Sequence, residues 1–118
     1  MAIQTVGIIG AGQMGSGIAH VAAQSGYQVL LHDISGDRIE KGIATINGNM
    51  ARQVSSGKLD ESVRSRAMSS IRPAPAIQDL AGADLVIEAA TEDETVKRKI
   101  FTQLCPVLNP EALLATNT

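Results

Sequence analysis

The feature that most constrains this chain lies near its start. The β-branched run Thr5–Ile9 (TVGII) leads directly into Gly10-Ala11-Gly12-Gln13-Met14-Gly15. A short apolar run bounded by glycine reads as a buried strand. An Ala-rich helix is expected over residues 14–25, with Gly26 just past its end as a C-terminal cap. The glycines act locally. Gly10 permits the tight turn, Gly12 keeps a side chain out of the space above it, and Gly15 lets the helix lie close on the sheet. The free N–H groups and positive dipole end of the helix then favour an anion above the turn. A bare G-x-G-x-x-G is a weak signal. Following a strand and opening an amphipathic helix, it becomes specific for a dinucleotide pyrophosphate. The bland alternative is a strand-to-helix turn with no ligand.

Gln28–His32 (QVLLH) is the second expected strand, ending at Asp33. Ile39, Ile43, Ile46, Met50 and Val54 then recur at spacings of three and four, which is one face of a helix. Asp37 with Glu40 resembles an N-terminal cap, and Gly57 ends the segment. A shorter helix over 60–67 places Leu59, Val63 and Ala67 on one side, so 37–68 reads as a helical hairpin inserted between two strands. A weak strand signal at 69–72 precedes Pro73 and Pro75, and a strong one covers 84–88 (DLVIE). Thr91 with Glu94 suggests a capping box, followed by a helix with Val96, Ile100, Leu104 and Leu108 inward, broken at Asn109-Pro110. Residues 112–116 (ALLAT) form the last expected strand. This alternation predicts an α/β fold with a parallel, doubly wound sheet of the Rossmann type. One domain over 1–118 would supply about five of its roughly six strands, leaving the sheet incomplete at its C-terminal end.

Asp33 carries the second half of the argument. It stands at the end of the second strand, about 20 residues after the glycine turn. A carboxylate there accepts hydrogen bonds from the adenosine ribose and repels a 2′-phosphate. Ile34, Ser35 and Gly36 offer no immediate base to hold such a phosphate. The expected cofactor is therefore NAD rather than NADP. The alternative role for Asp33 is to cap the following helix.

Composition narrows the remaining classes. Apolar residues make up 44% of the 118, so a packed core is expected. Aromatics make up 2%, so aliphatic residues must build it. A net charge of −2 argues against nucleic acid as partner. No apolar run approaches the roughly 20 residues of a membrane span. The single cysteine, Cys105, excludes an internal disulfide and reads as a core thiol in an apolar helix. With a start (MAIQTVGIIG) lacking the pattern of a signal peptide, a cytoplasmic location is expected. His20 and His32 read as structural or solvated, and no His/Cys cluster has metal-ligand spacing. Glu88, closing an apolar strand, reads as structural and satisfied by nearby backbone donors.

Three blocks together resemble the 3-hydroxyacyl-CoA dehydrogenases: VGIIGAGQMGSGIAHVAAQSGYQVLLHD, LVIEAATEDETVKRKIF and ALLATNT. The second and third are the more specific. The resemblance implies reversible, NAD-dependent oxidation of a 3-hydroxyacyl-CoA to a 3-ketoacyl-CoA, in fatty acid metabolism. It implies cofactor contacts from Gly10, Ala11, Gly12, Gln13, Met14, Gly15 and Asp33. An acid and a lysine five residues apart, Glu92 and Lys97, would approach the cofactor, as would Asn117 at the end of the last strand. Without the resemblance, Glu92 would read as a first-turn helix carboxylate and Lys97 as a solvated lysine. The hairpin resembles the arm that meets CoA, and Arg52, Lys58, Arg64 and Arg66 are candidates for its phosphates beside the bland reading of a solvated face. The family's histidine base and the helical domain that forms its homodimer are implied to lie beyond Thr118. Residues 1–118 alone are accordingly expected to be catalytically inactive and to self-associate weakly through the last strand. The 3-hydroxyisobutyrate and 6-phosphogluconate dehydrogenases, and a non-catalytic crystallin on the same scaffold, remain as alternatives.

Overall fold

The computed structural model describes residues 2–91 and 93–116. Elements follow in the order β1 (Thr5–Ile9), α1 (Gln13–Gln24), β2 (Gln28–His32), α2 (Gly36–Ser55), α3 (Glu61–Ser70), β3 (Ile71–Pro73), a 3₁₀ turn (Ile77–Leu80), β4 (Leu85–Glu88), α4 (Glu94–Leu104) and β5 (Leu113–Thr116). The five strands are all parallel, in the order β3-β2-β1-β4-β5. The chain leaves β1 toward β2 and later returns to β1's other side with β4. The crevice at the carboxyl ends of β1 and β4 is therefore the topological switch point, where open α/β sheets take their ligands.

Side-chain alternation along β1 sorts the two faces. Val6 and Ile8 join Ala19, Ala23, Ile39, Ile46 and Met50 beneath α1, α2 and α3. Ile9 joins Leu80, Val86 and Leu104 on the opposite face, beneath α4. Each fully buried Val, Leu, Ile or Met side chain of this kind contributes roughly 1.5–3 kcal/mol. Asp84 fastens the base of the sheet, since its Oδ2 accepts the backbone N–H groups of Gln4 and Thr5, each at 2.9 Å.

Several local expectations shift. The cap of α2 is Ser35, which accepts Arg38 N–H, while Asp37 lies inside the first turn. The cap of α4 is Asp93, accepting from Thr95 and Val96, rather than a Thr91–Glu94 box. Hydroxyl and carboxylate caps compete on similar terms, and sequence spacing alone did not separate them. The second hairpin helix runs to Ser70 instead of 67, which moves β3 to Ile71–Pro73. Helix α4 stops at Leu104, well before Asn109-Pro110. Pro106 has no N–H to donate to the Thr102 carbonyl, so the ladder fails there. Cys105 consequently sits at the helix end, exposed rather than in the core. The inward face of α4 carries Lys97, Ile100 and Leu104, while Val96 is 42% exposed.

Candidate functional site

The glycine turn is braced by both neighbouring strands. Gly10 N–H donates to the His32 carbonyl at 2.7 Å, and Ala89 N–H donates to the Ile9 carbonyl at 2.8 Å. Gly10 has φ +109°, and a Cβ there would meet the Ala90 backbone at 2.8 Å. No other residue type fits both constraints. Gly15 approaches the turn itself more closely than it approaches the sheet, since a Cβ on it would fall 1.7 Å from the Gly10 carbonyl oxygen. Gly12 is different: a Cβ there meets nothing within 4 Å. Nothing among the described residues needs Gly12 to be small, so the space above the turn is open.

Asp33 is buried and tied to the same turn. Its Oδ2 accepts Ala11 N–H at 3.0 Å, and its Oδ1 accepts Ser35 N–H at 3.1 Å. It thus orders both the glycine turn and the approach to α2 without being that helix's cap. Gly10, Gly12, His32, Asp33 and Thr91 line a common cavity of about 270 Å³. Arg38 lines it too, two residues after Gly36. Its place in the first turn of α2 brings it to the cavity that Asp33 lines.

The anion chemistry expected of NAD matches these residues. Among the described residues, α2, α3 and α4 each carry an acid in the first turn, whereas α1 carries none and has no side-chain cap. Its N-terminus therefore keeps its positive end for a ligand. Ser16 is buried and donates to the Ala11 carbonyl at 3.0 Å, and Gly42 of α2 packs against both. These two supports of the turn carried no sequence signal, since a serine and a glycine within helices fit many roles.

The remaining expected site residues are distributed around the turn. Ala11, Gly12 and Gln13 also face α2 across a groove of about 460 Å³ that includes Lys41, Thr45 and Asn49. Met14 lines instead an apolar groove of about 540 Å³ with Val21, Tyr27, Leu85 and Ile87, beside α1 on the sheet face that this helix covers. Lys97 is 2% exposed, with Nζ 3.8 Å from Glu88 Oε1. It is therefore not a solvated lysine. Glu92 and Asn117 lie outside the described residues. Glu88 is fully buried. Its Oε2 accepts Ala90 and Thr91 N–H at 2.7 and 3.1 Å, as expected of a structural carboxylate, and its Oε1 accepts the Thr116 hydroxyl at 3.0 Å.

The histidines and three hairpin arginines are engaged within the chain. His20 Nε2 pairs with Gln53 Oε1 at 3.2 Å, and His32 Nδ1 donates to the Ala74 carbonyl at 2.7 Å. Arg64 bonds Glu61 and Asn47, and Arg52 bonds Asn49. Arg66 donates to the Ala23 and Gln24 carbonyls, closing the end of α1. No helix among the described residues is long and apolar enough to cross a membrane.

Residues 5–118 match the family model described as the 3-hydroxyacyl-CoA dehydrogenase, NAD binding domain. The chain belongs to this family. The 3-hydroxybutyryl-CoA dehydrogenase of Bradyrhizobium diazoefficiens is 58% identical over 116 residues, which are 98% of this chain and 40% of that protein. The crystal structure of 3-hydroxybutyryl-CoA dehydrogenase from Escherichia coli superposes with a TM-score of 0.97 at 46% identity, over 100% of this chain and 25% of that one. The (S)-3-hydroxybutyryl-CoA dehydrogenase structure from Ralstonia eutropha gives 0.95 at 39% identity, over 99% and 41%. This 3-hydroxyacyl-CoA dehydrogenase domain thus spans well under half the length of the relatives it matches. NAD is its cofactor, and the fold is the Rossmann sheet its strand order describes.

Proposed function

We propose that this domain holds NAD for the interconversion of a 3-hydroxyacyl-CoA and a 3-ketoacyl-CoA. Bound NAD supplies the acceptor for hydride. The chain's own residues bind and orient it. The pyrophosphate rests on the backbone of Gly10, Ala11, Gly12, Gln13, Met14 and Gly15. Asp33 takes the adenosine ribose, and Glu92, Lys97 and Asn117 serve the nicotinamide half. The observation that carries this reading is the Asp33 Oδ2–Ala11 N–H bond, which joins the ribose-reading carboxylate to the phosphate turn in one rigid unit. Asp33 keeps lone pairs for ribose hydroxyls after serving both backbone donors.

The acyl-CoA substrate is proposed from the names of the relatives, with the α2–α3 hairpin as the arm that meets CoA. The internal bonds of Arg64 and Arg66 support a structural role for those two. The internal bonds of His20 and His32 support structural roles for both rather than that of a base beside the nicotinamide. Residues 1–118 should therefore bind NAD and leave acetoacetyl-CoA unreduced by NADH, whereas the full-length 3-hydroxybutyryl-CoA dehydrogenase of Bradyrhizobium diazoefficiens should turn over under the same conditions. Reduction by residues 1–118 within about tenfold of that relative would contradict this, since general acid–base catalysis is worth about 10²–10⁴-fold. A lone cysteine without a disulfide partner in the chain supports a cytoplasmic setting.

A further inference from the structure

Alternation along β4 places Glu88 on the same face as Val86, beneath α4, and the inward face of that helix presents Lys97 to it. The two charges are 0% and 2% exposed. They are not equally satisfied. Glu88 has three hydrogen-bond donors, from the β4–α4 turn and from Thr116 of β5. Lys97 Nζ has no hydrogen-bond partner among the described residues, and its contact with Glu88 is 3.8 Å, an ion pair rather than a hydrogen bond. An ammonium carries three donors, and burying them unmade is unfavourable. A carboxylate that already has its own donors does not need this lysine. The lysine needs the carboxylate.

Place adds to this. Glu88 ends β4, on the opposite side of β1 from β2 and Asp33. In a sheet of this order the two nucleotide halves lie on either side of the switch point. The Glu88–Lys97 pair therefore stands on the nicotinamide side.

We propose that Glu88 is a positioning residue for the nicotinamide half of the cofactor, acting by holding Lys97 and the end of β5 in a fixed relation. Its buried charge keeps the Lys97 ammonium at the carboxyl end of the sheet with donors to spare. Its bond to Thr116 fixes the strand end next to the same place. The inference rests on the reading of Lys97 given above and adds a role for a residue that touches no ligand.

Calorimetric titration of the natural-length protein with NAD and with ADP tests it, because ADP reaches only the glycine turn and Asp33. Glu88→Gln should weaken NAD about tenfold, the scale of one charged hydrogen bond, and leave ADP within about twofold. Lys97→Met should do the same, and the double variant should bind NAD no more weakly than either single one. Should Glu88→Gln fail to fold, Glu88→Asp keeps the charge but withdraws it by one methylene, and the same split between NAD and ADP is expected. Losses of NAD and ADP together, unchanged NAD binding, or losses that multiply in the double variant would overturn the proposal. If Lys97→Met weakens NAD and the Glu88 variants do not, only the positioning role fails. If Lys97→Met leaves NAD binding intact, the assignment of Lys97 to the cofactor fails as well.

Discussion

Lys97 lies 3.8 Å from Glu88 in the interior, and the two residues depend on each other unequally. Removing the lysine leaves a carboxylate that still accepts three hydrogen bonds. Removing the carboxylate's charge leaves a buried ammonium with no hydrogen bond among the described residues. Glu88→Gln should therefore cost about 3–5 kcal/mol of stability, the range for an uncompensated buried charge. Lys97→Met should cost less, about 1–3 kcal/mol. Denaturant unfolding of both variants without cofactor checks the order. Equal losses, or a larger loss for Lys97→Met, would show that the ammonium has a counter-charge other than Glu88.

Cofactor choice should depend on Asp33 and Arg38 together. Asp33→Ala removes the ribose acceptor and the repulsion toward a 2′-phosphate, so NAD should weaken about tenfold or more. The gap to NADP should narrow because Arg38 lines the same cavity. Adding Arg38→Ala should widen it again. Calorimetry with both cofactors decides this, and equal affinity of the unaltered protein for NAD and NADP would refute the reading at its root.

Gly12 and Gly15 should fail in different ways. Gly12→Val adds branches where the protein offers open space. The apo fold should lose about 1 kcal/mol or less, as for a poor N-cap, while NAD binding disappears. Gly15→Ala drives a methyl to within 1.7 Å of the Gly10 carbonyl unless the turn moves. Its thermal midpoint should fall before any ligand is added. Identical behaviour of the two variants would mean that the space above Gly12 is not the pyrophosphate site.

Acid should loosen the base of the sheet through Asp84. The Gln4 and Thr5 backbone N–H groups hold its carboxyl below the usual value of 3.8, with the Thr5 bond the larger cause. A lowered folded-state pKa gives stability that is fully present above the unfolded value and is lost as pH falls through the folded one. The difference in thermal midpoint between the unaltered protein and Asp84→Asn should therefore be constant near neutrality and shrink below about pH 4. A difference independent of pH would show that the carboxylate's charge adds nothing to the clamp.

The chain's local periodicities determined the order of elements, the parallel sheet, the phosphate turn and Asp33. Each depends on neighbours within a few residues or on the alternation of buried strands, so it was readable before any packing was known. Long-range contacts decided the rest. The β-branched run at 84–88 announced a strand, but only pairing with β1 and covering by α4 made Glu88 and Lys97 a buried pair. Ile100 and Leu104 face inward as their spacing implies, and residues 96 and 97, four and three positions before Ile100, both satisfy helical spacing to it, so spacing alone does not decide which of the two is buried. Cys105 lies outside the core because Pro106 ends the helix at Leu104. Arg38 entered the Asp33 cavity because it stands in the first turn of α2, whose start the strand order sets beside the glycine turn. Spacing along a chain specifies which face a residue shares with its neighbours. Which other element covers that face is settled only when the sheet order brings distant segments together.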